Sequence, residues 1–135
     1  MNKIFSAIRI AYNTLMHPTF VIILLGDLFK HFDQLDSDDL HLDATMNWLT
    51  RSQDASKMGG CSGVYSFKGG WSLPYPETTG YIIPTFLEYA ELKNKPEYYE
   101  RAIRMGDWEI DIQLPNGAVR GGIGINGYPI VFNTG

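Results

Sequence analysis

Residues 70–90 read GWSLPYPETTGYIIPTFLEYA, and the fold depends on where this run stops being a loop and becomes a helix. Pro74 and Pro76 stiffen its first part, where Trp71 and Tyr75 also lie. Beyond Thr79-Gly80, the residues Tyr81, Ile82, Phe86, Tyr89 and Ala90 recur at the spacing of one helical face. A helix is therefore expected in the second part. Pro84 falls early in it and would interrupt the backbone ladder, so the helix is expected either to start later than Thr79 or to have an irregular first turn. Immediately upstream, GGCSGVYSFKGGW (59–71) is too long for a tight turn and too aromatic for a passive linker, which predicts an ordered loop.

Working outward, residues 3–16 place Ile4, Phe5, Ile8, Ala11 and Leu15 on one helical face, closed by Pro18. A second apolar segment runs to about Leu35. Its core, FVIILL (20–25), is followed at once by Gly26 and Asp27. That is far short of the roughly 20 apolar residues that span a bilayer, so a buried helix and no membrane span are expected. The start of the chain carries Arg9 inside its apolar stretch and no small-residue cleavage site follows, which argues against a secretory signal and for a cytoplasmic location. DSDD (36–39) supplies capping residues and negative charge for a helix from about 38 to 53, with Leu42, Met46 and Leu49 on one stripe and Trp48 beside it. Pro96 opens a further helix to about 113, striped by Ala102, Met105, Trp108 and Ile112.

Composition removes several classes of function. A formal charge of −4 with no run of basic residues between aromatics gives no electrostatic grip on nucleic acid. Cys61 is the only cysteine, and His17, His31 and His41 lie too far apart for a helical ligand pair, so neither an internal disulfide nor a metal site is expected, and no cofactor is called for. GIGING (122–127) fits the glycine pattern of dinucleotide-binding turns, but Pro129 stands where a helix would have to open. Asn126-Gly127 instead predicts a two-residue hairpin turn between GIGI and YPIVF.

The chain also repeats itself. Trp48 and Gln53 recur as Trp108 and Gln113, sixty residues on, each pair followed by a glycine-rich loop; Thr79-Gly80 recurs as Thr134-Gly135, fifty-five residues on. A unit of helix, decorated loop and returning helix cannot bury its apolar face alone and has to stack on copies of itself.

NWLTRSQDA (47–55), GGWSLPYPETTGYIIPTFLEYA (69–90), ERAIRMGDWEIDIQLPNGAVRGG (100–122) and PIVFNTG (129–135) together resemble a family of bacterial α/α-toroid proteins linked with polysaccharide biosynthesis. That family is distantly related to six-hairpin glycosidases and to the toroids of terpene cyclases and protein prenyltransferases. The resemblance implies an all-α fold: helical hairpins of an incomplete α/α toroid, with a short β-hairpin-like loop near the C-terminus. Residues 1–35 would form an N-terminal helical segment and 36–135 about two hairpin repeats. The family normally has aspartate where this chain has Asn133 and continues into further hairpins, which implies a fragment whose exposed edge would self-associate.

In a toroid the loops ahead of the returning helices frame the pocket. Trp71, Tyr75 and Tyr81 offer faces that stack either on a sugar or in the core. Glu77, at a helix start where the positive end of the dipole favours a carboxylate, is either a catalytic base or nucleophile or a simple cap. Asp54 is the candidate partner for a two-carboxylate mechanism. Arg120 either grips a uronate carboxylate with its planar fork or is simply a solvent-exposed loop arginine, and Tyr128 and Asn133 would add secondary sugar contacts from the same loop. The function implied is carbohydrate handling, of hydrolase, lyase or epimerase type, on a polysaccharide or its oligosaccharide precursor. The alternatives are a non-catalytic glycan-binding or assembly subunit and an isoprenoid-handling toroid.

Overall fold

The computed structural model describes residues 3–16, 18–29 and 37–131. They form five helices, α1 (Lys3–Met16), α2 (Pro18–Phe29), α3 (Asp38–Ser56), α4 (Pro76–Lys93) and α5 (Pro96–Asp111), and a small antiparallel sheet of β1 (Tyr65–Ser66) and β2 (Gly70–Trp71) between α3 and α4. The described chain is thus mostly helical, and its sheet lies in the first loop.

Local chemistry sets each boundary. Ser37 caps α3 by accepting from the Leu40 amide at 3.3 Å, with Asp38 and Asp39 in the first turn. Asn94, in the left-handed conformation at φ 52°, ends α4, and Pro96 opens α5 two residues later. So short a link makes α4 and α5 an antiparallel hairpin. Met46 of α3, Phe86, Tyr89 and Ala90 of α4, and Tyr98, Ala102 and Met105 of α5 form the core with Cys61 from the loop. Phe86 and Tyr89 meet the Tyr98 ring at centroid distances of 5.6 and 4.6 Å. Away from the loops, Tyr89 donates to Asp43 at 2.8 Å and Lys93 pairs with Asp39 at 2.9 Å, tying α4 to the first half of α3.

Three expectations need correction. α4 starts at Pro76, ahead of Thr79, and runs through Pro84. Pro84 and Gly80, whose carbonyl loses its helical donor, are both exposed, so water can satisfy that carbonyl and no break is forced. The buried helix expected around residues 20–25 is not buried: Ile22, Leu28 and Phe29 of α2 are 70%, 69% and 78% exposed. The apolar face of α1 is open too, because these helices pack mainly on one another. Third, Asn126-Gly127 is not a two-residue hairpin turn. The YPIVF arm instead pairs, through Pro129, with Arg120 ahead of GIGI, and Gly122 and Gly124, both at φ +84°, coil the intervening chain into a wider loop.

The two loops nevertheless share one hydrogen-bond ladder. In the first, Ser62 bridges Pro74, flanked by Gly63 N–H to Leu73 C=O (3.3 Å) and Tyr75 N–H to Cys61 C=O (3.0 Å). In the second, Arg120 bridges Pro129, flanked by Gly121 N–H to Tyr128 C=O (2.8 Å) and Ile130 N–H to Val119 C=O (3.3 Å). Cys61 and Val119, at equivalent places, are both buried. Gly63 and Gly121 are equivalent as well, and a Cβ on either would strike the residue across the ladder, Tyr75 Cβ at 2.8 Å or Ile130 Cδ1 at 2.4 Å. Each ladder delivers the chain to helical backbone, at Pro76 and at Val131. Gly124 N–H donates to the Pro74 carbonyl at 2.7 Å, so the two loops sit side by side at one end of the helices.

Candidate functional site

The loop end gathers the end of α3, the start of α4 and the end of α5. Gln53 organises it. Its side-chain amide, almost wholly buried, donates to the carbonyls of Gly59 and Arg101 (3.0 Å each) and accepts from the Arg101 guanidinium at 2.9 Å. One side chain thus joins α3, the first loop and α5. Thr79 does the same for α4: its hydroxyl accepts from the Cys61 amide at 2.9 Å and donates to the Tyr75 carbonyl at 2.8 Å. This is what the threonine of Thr79-Gly80 is for; Thr134-Gly135 lies outside the described residues.

On this frame stands an exposed aromatic cluster. Trp48 projects from α3 and meets Trp71 of β2 at 4.7 Å between centroids, tilted by 50°, and Tyr65 of β1 edge-on at 5.5 Å. Tyr65 and Trp71 are cross-strand partners whose rings meet at 5.0 Å, and Phe67 packs edge-on to Tyr65 at 6.2 Å. Trp48, Tyr65 and Phe67 are 43%, 37% and 46% exposed. The guanidinium of Arg51 lies over the Trp48 ring, 5.5 Å from its centroid.

The expected site residues separate. Trp71 joins this cluster. Tyr75 donates from its phenol to the Glu77 carboxylate, and that bond, with some desolvation, holds the phenol above its ordinary pKa. Both are half-buried at the start of α4. Asp54 is taken up in a two-pronged ion pair with Arg101 (2.7 and 3.2 Å), so the two expected carboxylates each answer to a different neighbour. Arg120 does not offer a free fork, because it donates to the Ile125 carbonyl at 2.8 Å and braces its own loop. Tyr81 and Tyr128 are 71% and 88% exposed and belong to no ring cluster among the described residues, and Asn133 lies outside them.

Asp38 and Asp39 of the DSDD stretch sit in the first turn of α3 and Asp39 pairs with Lys93, away from the loops. Among the described residues no group of His, Cys, Asp or Glu could hold a metal ion, and no helix is long and apolar enough to cross a membrane.

Two further acids depart from ordinary behaviour. Burial pushes the Cys61 thiol up to about 12, although Ser52 hydrogen-bonds it. Glu109, in the last turn of α5, is raised to about 7 by desolvation, and its Oε1 has no hydrogen-bond partner among the described residues. Grooves of about 500 and 480 Å³ flank the C-terminal half of α4, lined by residues such as Leu42, Thr85 and Leu92 in one and Asn94, Pro96 and Tyr99 in the other, not by the loops.

Sequence reasoning did not bring Trp48, Tyr65 and Arg51 together as one cluster. The signals were present: Trp48 and Arg51 are one helical turn apart, and YSFKGGW (65–71) puts aromatics on both sides of a Lys-Gly-Gly turn. Compared with family models, curated proteins and solved structures, the chain matches none.

Proposed function

We propose that this chain is a carbohydrate-handling unit, built as helical hairpins of an α/α toroid, that holds a polysaccharide or its oligosaccharide precursor at the loop end. One observation carries the proposal: three aromatic rings, on α3 and on both strands of the first loop, meet in one cluster, Trp48 and Tyr65 exposed and Trp71 half-buried, on the loop that delivers Tyr75 and Glu77. Flat rings with solvent-facing area stack on the apolar faces of sugar rings, while neighbouring polar atoms bind hydroxyls. The repeated loop ladder supports the toroid reading, since both copies bridge and bond in the same pattern and place a buried residue and a glycine at equivalent positions. A cytoplasmic location accompanies a precursor substrate.

In the catalytic form of this reading, Glu77 is the proton acceptor and Tyr75, whose phenol is hydrogen-bonded to it, the donor. Hydrolysis, elimination and epimerisation leave different traces: new reducing ends, unsaturated-sugar absorbance and solvent-deuterium incorporation. Incubation with an oligosaccharide panel is expected to give one of the three, abolished by Glu77→Gln with binding retained. Unchanged turnover in that variant would remove Glu77 from the mechanism. The second reading, a glycan-binding or assembly subunit without catalysis, is favoured by the engagement of Asp54 with Arg101, which leaves no free second carboxylate beside Glu77 in the pairing expected. Binding with none of the three traces would establish it. Absence of binding to any saccharide would overturn both.

A further inference from the structure

We propose that the shelf formed by Trp48, Tyr65 and Trp71 is a binding site for an anionic sugar ring, with Arg51 and Lys68 meeting its negative charge. The inference rests on the carbohydrate reading and narrows it to acidic saccharides. Exposed rings grouped in this way mark binding surfaces more often than single exposed apolar residues do.

The rings are already ordered. Tyr65 and Trp71 face each other across paired strands, and Trp48 is fixed to a helix and to both of them. Little side-chain freedom is therefore lost when a ligand stacks there.

Arg51 and Lys68 determine the charge of the ligand. Arg51 follows Trp48 by one helical turn and holds its guanidinium against the ring, at the margin of the shelf. Lys68 lies in the turn joining β1 to β2, beside Phe67. Both are exposed, and neither has an ion-pair partner among the described residues. Two other cations of the bundle are neutralised, Arg101 by Asp54 and Lys93 by Asp39 and Asp43. Asp54, one turn beyond Arg51, is the acid best placed along α3 to pair with it, and Arg101 already holds it in both prongs. Arg51 at the margin of the shelf and Lys68 in the hairpin turn thus stand without an ion-pair partner among the described residues, on a chain whose net charge is −4. A carboxylate or sulfate on a stacked sugar supplies the missing partner, and Arg51 can bind either with two parallel hydrogen bonds.

Aromatics and cations also suit single-stranded nucleic acid, whose bases stack on such rings. The net negative charge and the absence of a run of basic residues in the sequence favour the sugar.

The test is calorimetric titration of the chain with matched oligosaccharides: neutral cello-oligosaccharide, oligogalacturonate and a sulfated glucan oligomer, with oligo-dT as the nucleic-acid probe. Arg51→Met and Lys68→Met, both at exposed positions, are run beside the parent, and circular dichroism confirms that each is folded. At least one acidic oligomer is expected to bind and the neutral one to bind more weakly, the two acidic probes telling carboxylate from sulfate. Arg51→Met should weaken acidic binding roughly tenfold, as loss of one charge-assisted contact does, and leave neutral binding unchanged. Equal binding of neutral and acidic probes, insensitive to Arg51, would overturn the anionic inference and leave the carbohydrate reading standing. No saccharide binding at all would overturn both, and preferential binding of oligo-dT at these residues would replace the sugar with a nucleic acid.

Discussion

Gln53→Ala tests how the loop end is held together. The Gln53 side chain is 4% exposed and makes three hydrogen bonds, donating to the Gly59 and Arg101 carbonyls at 3.0 Å each and accepting from Arg101 at 2.9 Å. Truncation leaves two carbonyls without that donor. An orphaned buried acceptor costs about 1–3 kcal/mol, and the lower half of that range applies because both carbonyls belong to half-buried residues that water can partly reach. The sum is a loss of about 2–4 kcal/mol. The neighbouring Asp54–Arg101 pair provides the contrast. Asp54 is 58% exposed, so Asp54→Asn should cost under about 1 kcal/mol despite the pair's short distances. Urea denaturation followed by far-ultraviolet circular dichroism measures both. Gln53→Glu sharpens the comparison, since a carboxylate can accept from Arg101 but cannot donate to either carbonyl; it should be at least as damaging as alanine. A Gln53→Ala loss below about 0.5 kcal/mol, or an Asp54→Asn loss larger than it, would refute the assignment of Gln53 as the tie between α3, the loop and α5.

Gly60→Ala should destabilise by about 1–3 kcal/mol, because the added methyl would sit 2.4–2.8 Å from three ring atoms of the buried Trp108; a neutral result in the same denaturation assay would mean that the ring moves aside freely. Cys61, fully buried and with its thiol raised to about 12, should resist alkylation at pH 8 in the native chain and react only on unfolding, as mass spectrometry of iodoacetamide adducts would show. Glu109 is raised in the fold to about 7, so its favourable contribution is full below its unfolded value of about 4.5 and is lost as pH rises through 7. Glu109→Gln is therefore expected to be nearly neutral at pH 4 and to stabilise by about 1–2 kcal/mol at pH 8, the full shift being discounted because the group is half-buried and screened by water. The exposed apolar residues of α1, α2 and α5 should give concentration-dependent self-association in sedimentation, and a monomer across the concentration range would contradict that.

Helical periodicity located α3, α4 and α5 well, because Met46, Phe86, Tyr89, Ala102, Met105 and Trp108 all turn inward as their spacing requires. It failed for α2, where a continuous apolar run names a buried helix but cannot supply the surface that would bury it. Pro84 misled for a different reason: proline's penalty depends on whether its freed carbonyl can reach water, which is a property of the exposed face and not of the local sequence. Trp71, Tyr75 and Glu77 were legible as residues at the entry to α4, where the structure places them. The engagement of Arg120 and Asp54 was not legible, because a charged side chain takes whatever partner the fold brings, here the Ile125 carbonyl and Arg101. The meeting of Trp48 with Tyr65 and Trp71 joins a helix to a hairpin in the loop that follows it, and no single periodicity spans that junction.

Saccharide engagement of the aromatic shelf is tested most directly on the indole N–H signals of the three tryptophans, assigned by single Trp→Phe variants and followed by ¹H–¹⁵N correlation during titration with an acidic oligosaccharide. The expected result is movement of the Trp48 and Trp71 signals in a common saturating curve, with Trp108, buried behind Gly60, unmoved. No movement of Trp48 and Trp71 at saturating ligand, or movement of Trp108 alone, would contradict the account.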